Sequence, residues 1–297
     1  MRIAVTGKDG QVARSLRKIG PSHDVEIIPL ARPAFDLLRV DSILDSLWAV
    51  KPDVVVNAAA YTAVDQAEKE PDSAMQINGA GAGAVAKAAC SLNIPIVHLS
   101  TDYVFDGTKA TPYVEEDPAS PLNVYGLSKL AGERAVASAT PDHVILRTSW
   151  VYSHSGRNFV RTMLKLGQGR NELRIVADQS GFPTYAPEIA SAIVRIALAL
   201  CENPEASSLR GLFHLCGNGE TTWAAFASEI FAIYPRTSGK RTTVIPISTA
   251  DYPTAARCPA NSRLDTGKLA RTHQIRLPDW RASLSNCLTR LMESDAA

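Results

Sequence analysis

The chain has 297 residues, 45% of them hydrophobic and 21% charged, with 31 lysines and arginines against 30 aspartates and glutamates. That length accommodates one large α/β domain plus a smaller lobe, or two ordinary domains, and the composition argues against disorder and collagen-like repeats. Charge is balanced and scattered, so nucleic acid and membrane surfaces are not expected partners, and no apolar run reaches the roughly 18 residues that span a bilayer. Met1-Arg2 leads directly into an apolar strand without a signal-peptide core, so a cytoplasmic location is expected.

Residues 2–6 form that strand, and Gly7-Lys8-Asp9-Gly10-Gln11-Val12-Ala13 follow. Strand, glycine turn and helix in this order make a phosphate cradle. Gly7 permits the sharp turn, Gly10 lets the backbone approach a pyrophosphate, and Ala13 lets helix and sheet close together. Free amides and the positive dipole end of the helix complete the cradle. The spacing is GxxGxxA, so the generic dinucleotide rule fits loosely and an ordinary strand-to-helix turn is the competing reading.

Residues 25–30 read as the second strand. A site that prefers NADH usually places an acid just beyond it to hold the ribose hydroxyls; here Ala31 and Arg32 follow. No carboxylate repels a 2′-phosphate and Arg32 is able to pair with one, which favours NADPH. NADH stays open, because a lone surface arginine reads equally easily. Asp36 is expected at the adenine, or as the cap of a helix starting near Ser42.

Residues 54–60 form a continuous apolar strand ending in Ala58-Ala59-Ala60, the pattern of a parallel strand buried on both faces. Its small carboxyl end would let a cofactor lie against the backbone, with Thr62 as a hydroxyl contact; tight packing alone explains the alanines too. Pro71 opens a long helix whose Gly79-Ala80-Gly81-Ala82-Gly83-Ala84 segment is read as a face packed on the sheet, since glycine costs about 1 kcal/mol against alanine in a helix. Residues 94–99 are the next strand, running into Ser100-Thr101-Asp102. A hydroxyl from Ser100 or Thr101 would bond a substrate carbonyl, and Asp102 is free for proton chemistry or a sugar hydroxyl. Residues 108–121, rich in proline and acid, read as a lid or substrate rim.

Tyr125-Gly-Leu-Ser-Lys129 follows at a helix start, placing a phenol and an ammonium on one face. A free tyrosine has a pKa of about 10 and exchanges protons poorly near neutrality unless a cation stabilises the phenolate. Lys129 is spaced to do that. Taken alone, YxxxK is a weak signal; with a glycine turn upstream and hydroxyls at the end of another strand it describes a hydride-transfer site. Residues 144–146 resume the sheet. A helix at 187–201 and a strand at 211–216 return to it, and two or three helices with an irregular 252–263 segment follow.

The sequence therefore predicts an α/β protein with a Rossmann-type doubly wound parallel sheet. Residues 1–150, joined by 186–217, form the cofactor domain, and the rest of 151–297 forms mainly a substrate lobe. Cys90, Cys201, Cys216, Cys258 and Cys287 contain no CxxC and read as buried thiols. The histidines show no ligand spacing, so no dedicated metal site is expected, and His98 reads as a packed core histidine.

With the glycine turn, Thr101 and the Tyr125/Lys129 pair in hand, the chain resembles the extended short-chain dehydrogenase/reductases. Residues 57–65, 100–105, 121–126 and 147–152, with Gly181-Phe182-Pro183-Thr184 and Asn261-Ser262-Arg263-Leu264, resemble the dTDP-4-dehydrorhamnose reductase branch. The resemblance spans residues 1 to about 280. It implies the last step of dTDP-L-rhamnose formation, in which NADPH delivers hydride to the C4 ketone of dTDP-4-dehydro-β-L-rhamnose. Tyr125 would protonate the alkoxide, Lys129 would lower the tyrosine pKa and hold the nicotinamide ribose, and Thr101 would position the carbonyl. Gly7, Gly10, Gln11, Val12, Arg32, Asp36, Leu37, Ala59, Ala60, Tyr61 and Thr62 would line the cofactor. Asp102 and Trp150 would meet the dTDP-sugar, with Trp150 as a core anchor equally open. Some members are similar dimers bridged by Mg2+ through acids; here Ser15 stands at one such place and Glu188 at another, which leaves the metal and a homodimer open. Two rival readings share the fold: a dehydratase, disfavoured because Tyr103 rather than glutamate follows Asp102, or an epimerase, which would hold and regenerate its cofactor; and a non-catalytic NADP-binding regulatory subunit, disfavoured by the intact Tyr125/Lys129 pair.

Overall fold

Five apolar strands and a sixth that returns later align in one parallel sheet in this computed structural model, which describes residues 1–234 and 242–295. Next to its edge, β1 (Arg2–Thr6) pairs with the edge strand β2 (Glu26–Leu30) on one side and β3 (Val54–Asn57) on the other. Beyond β3 come β4 (Ile96–Thr101), β5 (His143–Thr148) and the strand Gly211–His214, all in parallel register. The chain leaves β1 in one direction to β2 and in the other to β3, so a crevice opens between the carboxyl ends of β1 and β3, where open α/β sheets bind ligands.

Both faces of the sheet are covered, which is why β3 reads Val-Val-Val without alternation. On one face α1 (Gln11–Ile19) and the return helix Ala186–Glu202 bury Val12, Leu16, Ile189 and Ile193 against Ile3, Val5 and Val54. On the other, α2 (Val40–Val50) and the helix Ala82–Ser91 pack Ile43, Leu47 and Val85 on Ala4, Val55 and Ile96. A third apolar cluster belongs to the lobe, where the helices Phe159–Gly169, Trp223–Ile233 and Trp280–Asp295 gather Val160, Phe226, Trp280 and Leu284 around Tyr152.

Several expectations change. The lobe contains a parallel pair, Glu172–Val176 with Thr243–Ile247, hidden in sequence by Pro246 and by short strands that pair only with each other. Its residues 235–241 and 296–297 lie outside the described residues. The long helix opened by Pro71 runs as Pro71–Met75, a π-helical stretch Gln76–Gly81, and Ala82–Ser91. Its glycines serve a helix more than the sheet: a Cβ at Gly83 would stand 2.9 Å from the Ala135 Cβ of the helix Val124–Ala139, the tyrosine helix. All five cysteines are free, and Cys90 and Cys201 are exposed where buried thiols were expected.

Candidate active site

The crevice between β1 and β3 holds a cavity of about 650 Å³. Gly7 at its floor has φ +84°, a conformation side chains rarely adopt, and its amide donates to the Leu30 carbonyl at 2.7 Å. Gly10 is different. Its backbone is extended, with φ −63° and ψ 151°, and a Cβ there would meet nothing within 4 Å. Protein packing does not require glycine at this position, so the space beside it is open to a ligand. The Thr6 hydroxyl accepts from the Ala58 and Ala59 amides at 3.0 and 2.9 Å and donates to Asn57 Oδ1 at 2.8 Å, clamping the ends of β1 and β3 together.

Of the residues expected to hold a cofactor, Gly7, Gly10, Arg32, Asp36, Leu37, Ala59, Ala60 and Thr62 line this cavity. Arg32 is exposed and, among the described residues, forms no ion pair, so its charge is open to a phosphate. Asp36 does not cap α2: its carboxylate accepts from the Leu38 amide at 3.1 Å, closing the turn before the helix. Three expected residues lie outside the wall. Val12 is buried in the core; Gln11 turns to the lobe, where Asn158 donates to its Oε1 at 3.1 Å; and the Tyr61 hydroxyl donates to Glu70 at 2.8 Å.

At the carboxyl end of β4 the strand's alternation separates the two candidate hydroxyls. Ser100 donates to the buried Glu133 at 2.5 Å, whereas Thr101 donates to Asp102 Oδ1 at 3.0 Å and faces the Tyr125 phenol. Thr101 is therefore the hydroxyl available beside the tyrosine. The Tyr125 ring meets Tyr103 edge-on, centroids 5.5 Å apart. Burial, then the Asp102 charge, push the phenol up to about 12, against a lowering by Thr101. The net shift is opposite to the one expected beside a cation, because burial and Asp102 outweigh any lowering; the Lys129 ammonium donates to the Leu99 carbonyl at 2.6 Å. Burial brings Lys129 down to about 8, opposed by Glu133. Asp102 is raised to about 6, chiefly by burial and against lowering by the Ser262 and Thr101 hydroxyls; Ser262 stands near its carboxylate, yet the buried Oδ2 makes no hydrogen bond of acceptable geometry.

A family model described as the RmlD substrate binding domain matches residues 1–293. A dTDP-4-dehydrorhamnose reductase of Sinorhizobium fredii is 52% identical over 292 residues, covering 98% of each chain. The chain belongs to the dTDP-4-dehydrorhamnose reductase family. A crystal structure of the Clostridium acetobutylicum dTDP-4-dehydrorhamnose reductase superposes with a TM-score of 0.90 at 36% identity, over 98% of this chain and 100% of that one. The Bacillus anthracis dTDP-4-dehydrorhamnose reductase, crystallised with NADP, superposes with a TM-score of 0.89 at 34% identity, over 97% and 99%.

Trp150, with φ +46°, stacks on Trp223 at 3.5 Å between centroids and lies so close to Gly181 that a Cβ there would sit 2.4 Å from its ring. It is an anchor of the lobe, whatever edge it offers a ligand. Residues 108–121, expected as a lid or rim, are fastened: Tyr113 is buried, stacks on Phe105 at 4.1 Å, and its amide donates to the Arg263 carbonyl. Asn78 escaped sequence reasoning. Its Oδ1 accepts from the Tyr61 amide at 2.8 Å and its Nδ2 donates to Ser128 at 2.9 Å, joining the cavity loop to the tyrosine helix. The π-helical bulge that aims it is a frequent signature of functional sites. Asn123 caps the tyrosine helix by accepting from Gly126 at 2.8 Å and donates to the Arg257 carbonyl at 2.8 Å. Glu133 also escaped notice, although it lies one turn after Lys129. Arg147 grips it with two bonds, of 2.8 and 2.7 Å, both side chains buried.

Magnesium does not fit the positions the family resemblance suggests. The Ser15 hydroxyl donates to the Gln11 carbonyl at 2.8 Å, and the Glu188 carboxyl accepts from Ser283 at 2.6 Å and is raised to about 7 by burial. Among the described residues no group of three or more His, Cys, Asp or Glu stands together to hold a metal. Nor is any described helix long and apolar enough to cross a membrane.

Proposed function

We propose that this chain reduces the C4 ketone of dTDP-4-dehydro-β-L-rhamnose to dTDP-L-rhamnose with NADPH. Residues 1–150 and 186–217 serve as the cofactor domain and the rest of 151–297 as the sugar-nucleotide lobe. The observation that carries this reading is the Tyr125 phenol facing the Thr101 hydroxyl at the sheet's carboxyl edge, on the same edge as the open glycine cradle. The NADP bound in the Bacillus anthracis relative supports the coenzyme class, and the unpaired Arg32 in the cavity wall supports the phosphorylated form.

When bound, the reduced nicotinamide supplies a hydride to the ketone carbon. The chain's own residues manage the oxygen. Thr101 holds it by a hydrogen bond, and Tyr125 passes its phenolic proton to it as the alkoxide forms. A phenol with a pKa of about 12 stays protonated throughout the neutral range, and an alkoxide is the stronger base, so the transfer runs downhill. Lys129, held at Leu99, supplies the positive charge that offsets the phenolate left behind, which recovers its proton from solvent. Asp102 accepts from a sugar hydroxyl.

The test is NADPH oxidation in the presence of the 4-keto sugar generated in place, with the product identified by mass and stereochemistry. Turnover far beyond one NADPH per chain with dTDP-L-rhamnose as product is expected. Sugar conversion without net oxidation would identify an epimerase. NADPH binding with no sugar conversion would favour the regulatory reading.

A further inference from the structure

A second cavity, about 210 Å³, opens between α1, the loop at His154 and Ser155, the start of the return helix and the C-terminal helix Trp280–Asp295. Arg14, Lys18 and Arg290 line it with His154, Ser15 and Ser155, and no carboxylate stands in its wall. In a chain whose basic and acidic residues number 31 and 30, three cations around one small hollow without an acid is a local excess. Among the described residues two of these charges are unpaired and the third is weakly paired: Lys18 and Arg290 form no ion pair, and Arg14 reaches only Asp9, at 3.4 Å and in solvent. The adjacent Glu188, outside the cavity wall, is engaged by Ser283, and burial raises its pKa to about 7, so about half of its negative charge is lost at neutral pH. His154 registers the field: burial first, then Lys18, Arg290 and Arg161, hold its imidazole below the ordinary range.

We propose that this cavity binds a phosphate-sized oxyanion, in place of the divalent metal that acids at these positions would bring. Guanidinium forks and an ammonium lining one hollow suit a tetrahedral oxyanion, whose charge would offset theirs. The volume sets the size. It lies below the roughly 300 Å³ at which pockets for larger organic ligands begin and well under the cofactor cavity, so an ion fits and a nucleotide does not. Because Arg14, Ser15 and Lys18 ride on α1, whose first residue follows the glycine cradle, a bound oxyanion ties the cofactor helix to the C-terminal helix.

Inorganic phosphate titrated calorimetrically into the native chain at constant ionic strength, with NADPH saturating so that the cradle is filled, tests this. Saturable binding of one phosphate is expected, weakened at least about tenfold in Lys18→Gln/Arg290→Gln, with NADPH affinity unchanged. The proposal fails if the native chain shows no saturable phosphate binding, or if the double variant binds phosphate equally well, which would place the ion elsewhere. It also fails if magnesium chloride gives a saturable isotherm that the substitutions leave intact, which would mark a cation site.

Discussion

Tyr125 carries the proposed chemistry, and its replacement separates proton transfer from binding. Tyr125→Phe removes a proton donated in the transition state, so kcat should fall about a hundredfold or more while NADPH affinity changes little; stopped-flow oxidation and fluorescence titration measure the two. Unchanged turnover would refute the assignment. Lys129 sets the alkaline limit. Its pKa, lowered to about 8 by burial, means the stabilising charge is lost as pH rises through that value, so the rate should decline there. Lys129→Met should lower the rate, weaken cofactor binding and abolish that limb. Glu188 acts on stability instead. Its folded pKa, about 7, lies above the ordinary 4.5, so its contribution is present below about 4.5 and is lost as pH rises through about 7. Thermal melts across that window should show the native chain losing ground to Glu188→Gln. The residue scale was also where sequence reasoning stopped short: Ser100 and Thr101 are equivalent on paper, and only the direction of β4 gives one to Glu133 and the other to Tyr125.

The tyrosine helix is set by close approaches at glycine. A Cβ at Gly126 would stand 2.1 Å from the Tyr103 carbonyl, and one at Gly132 would stand 2.1 Å from that of Asn78. Backbone cannot yield cheaply, so Gly126→Ala should destabilise by about 1–3 kcal/mol or more and displace Tyr125. Gly10→Ala should do the opposite: its Cβ enters open space, so stability should change by under about 1 kcal/mol while NADPH binding weakens. Denaturant melts set beside cofactor titrations of the two variants distinguish a glycine kept for packing from one kept for a ligand. The sequence marked Gly10 and the 79–84 run as special and passed over Gly126 and Gly132. Of the 79–84 run it found one partner and missed the other: Ala82 and Ala84 join the sheet-side cluster, but Gly79 and Gly83 approach the tyrosine helix, because composition reports that something approaches closely and not what does.

Across the whole molecule, the Glu133–Arg147 pair joins the tyrosine helix to β5 beneath the site, and Arg147 also lies over the Phe105 ring at 4.9 Å. Arg147→Met would leave a buried carboxylate uncompensated, a loss of about 3–5 kcal/mol in urea unfolding, much of it restored by adding Glu133→Gln. The parallel sheet, its glycine turn and the Tyr125/Lys129 pair could be read directly from the sequence, because strand periodicity, turn chemistry and helical spacing are local properties of the chain. The partners of Glu133, the two-ended role of Asn78, the packing of Trp150 on Trp223, and the gathering of Arg14, Lys18 and Arg290 could not. Each joins residues distant in sequence, and such contacts are decided by which surfaces the fold presses together.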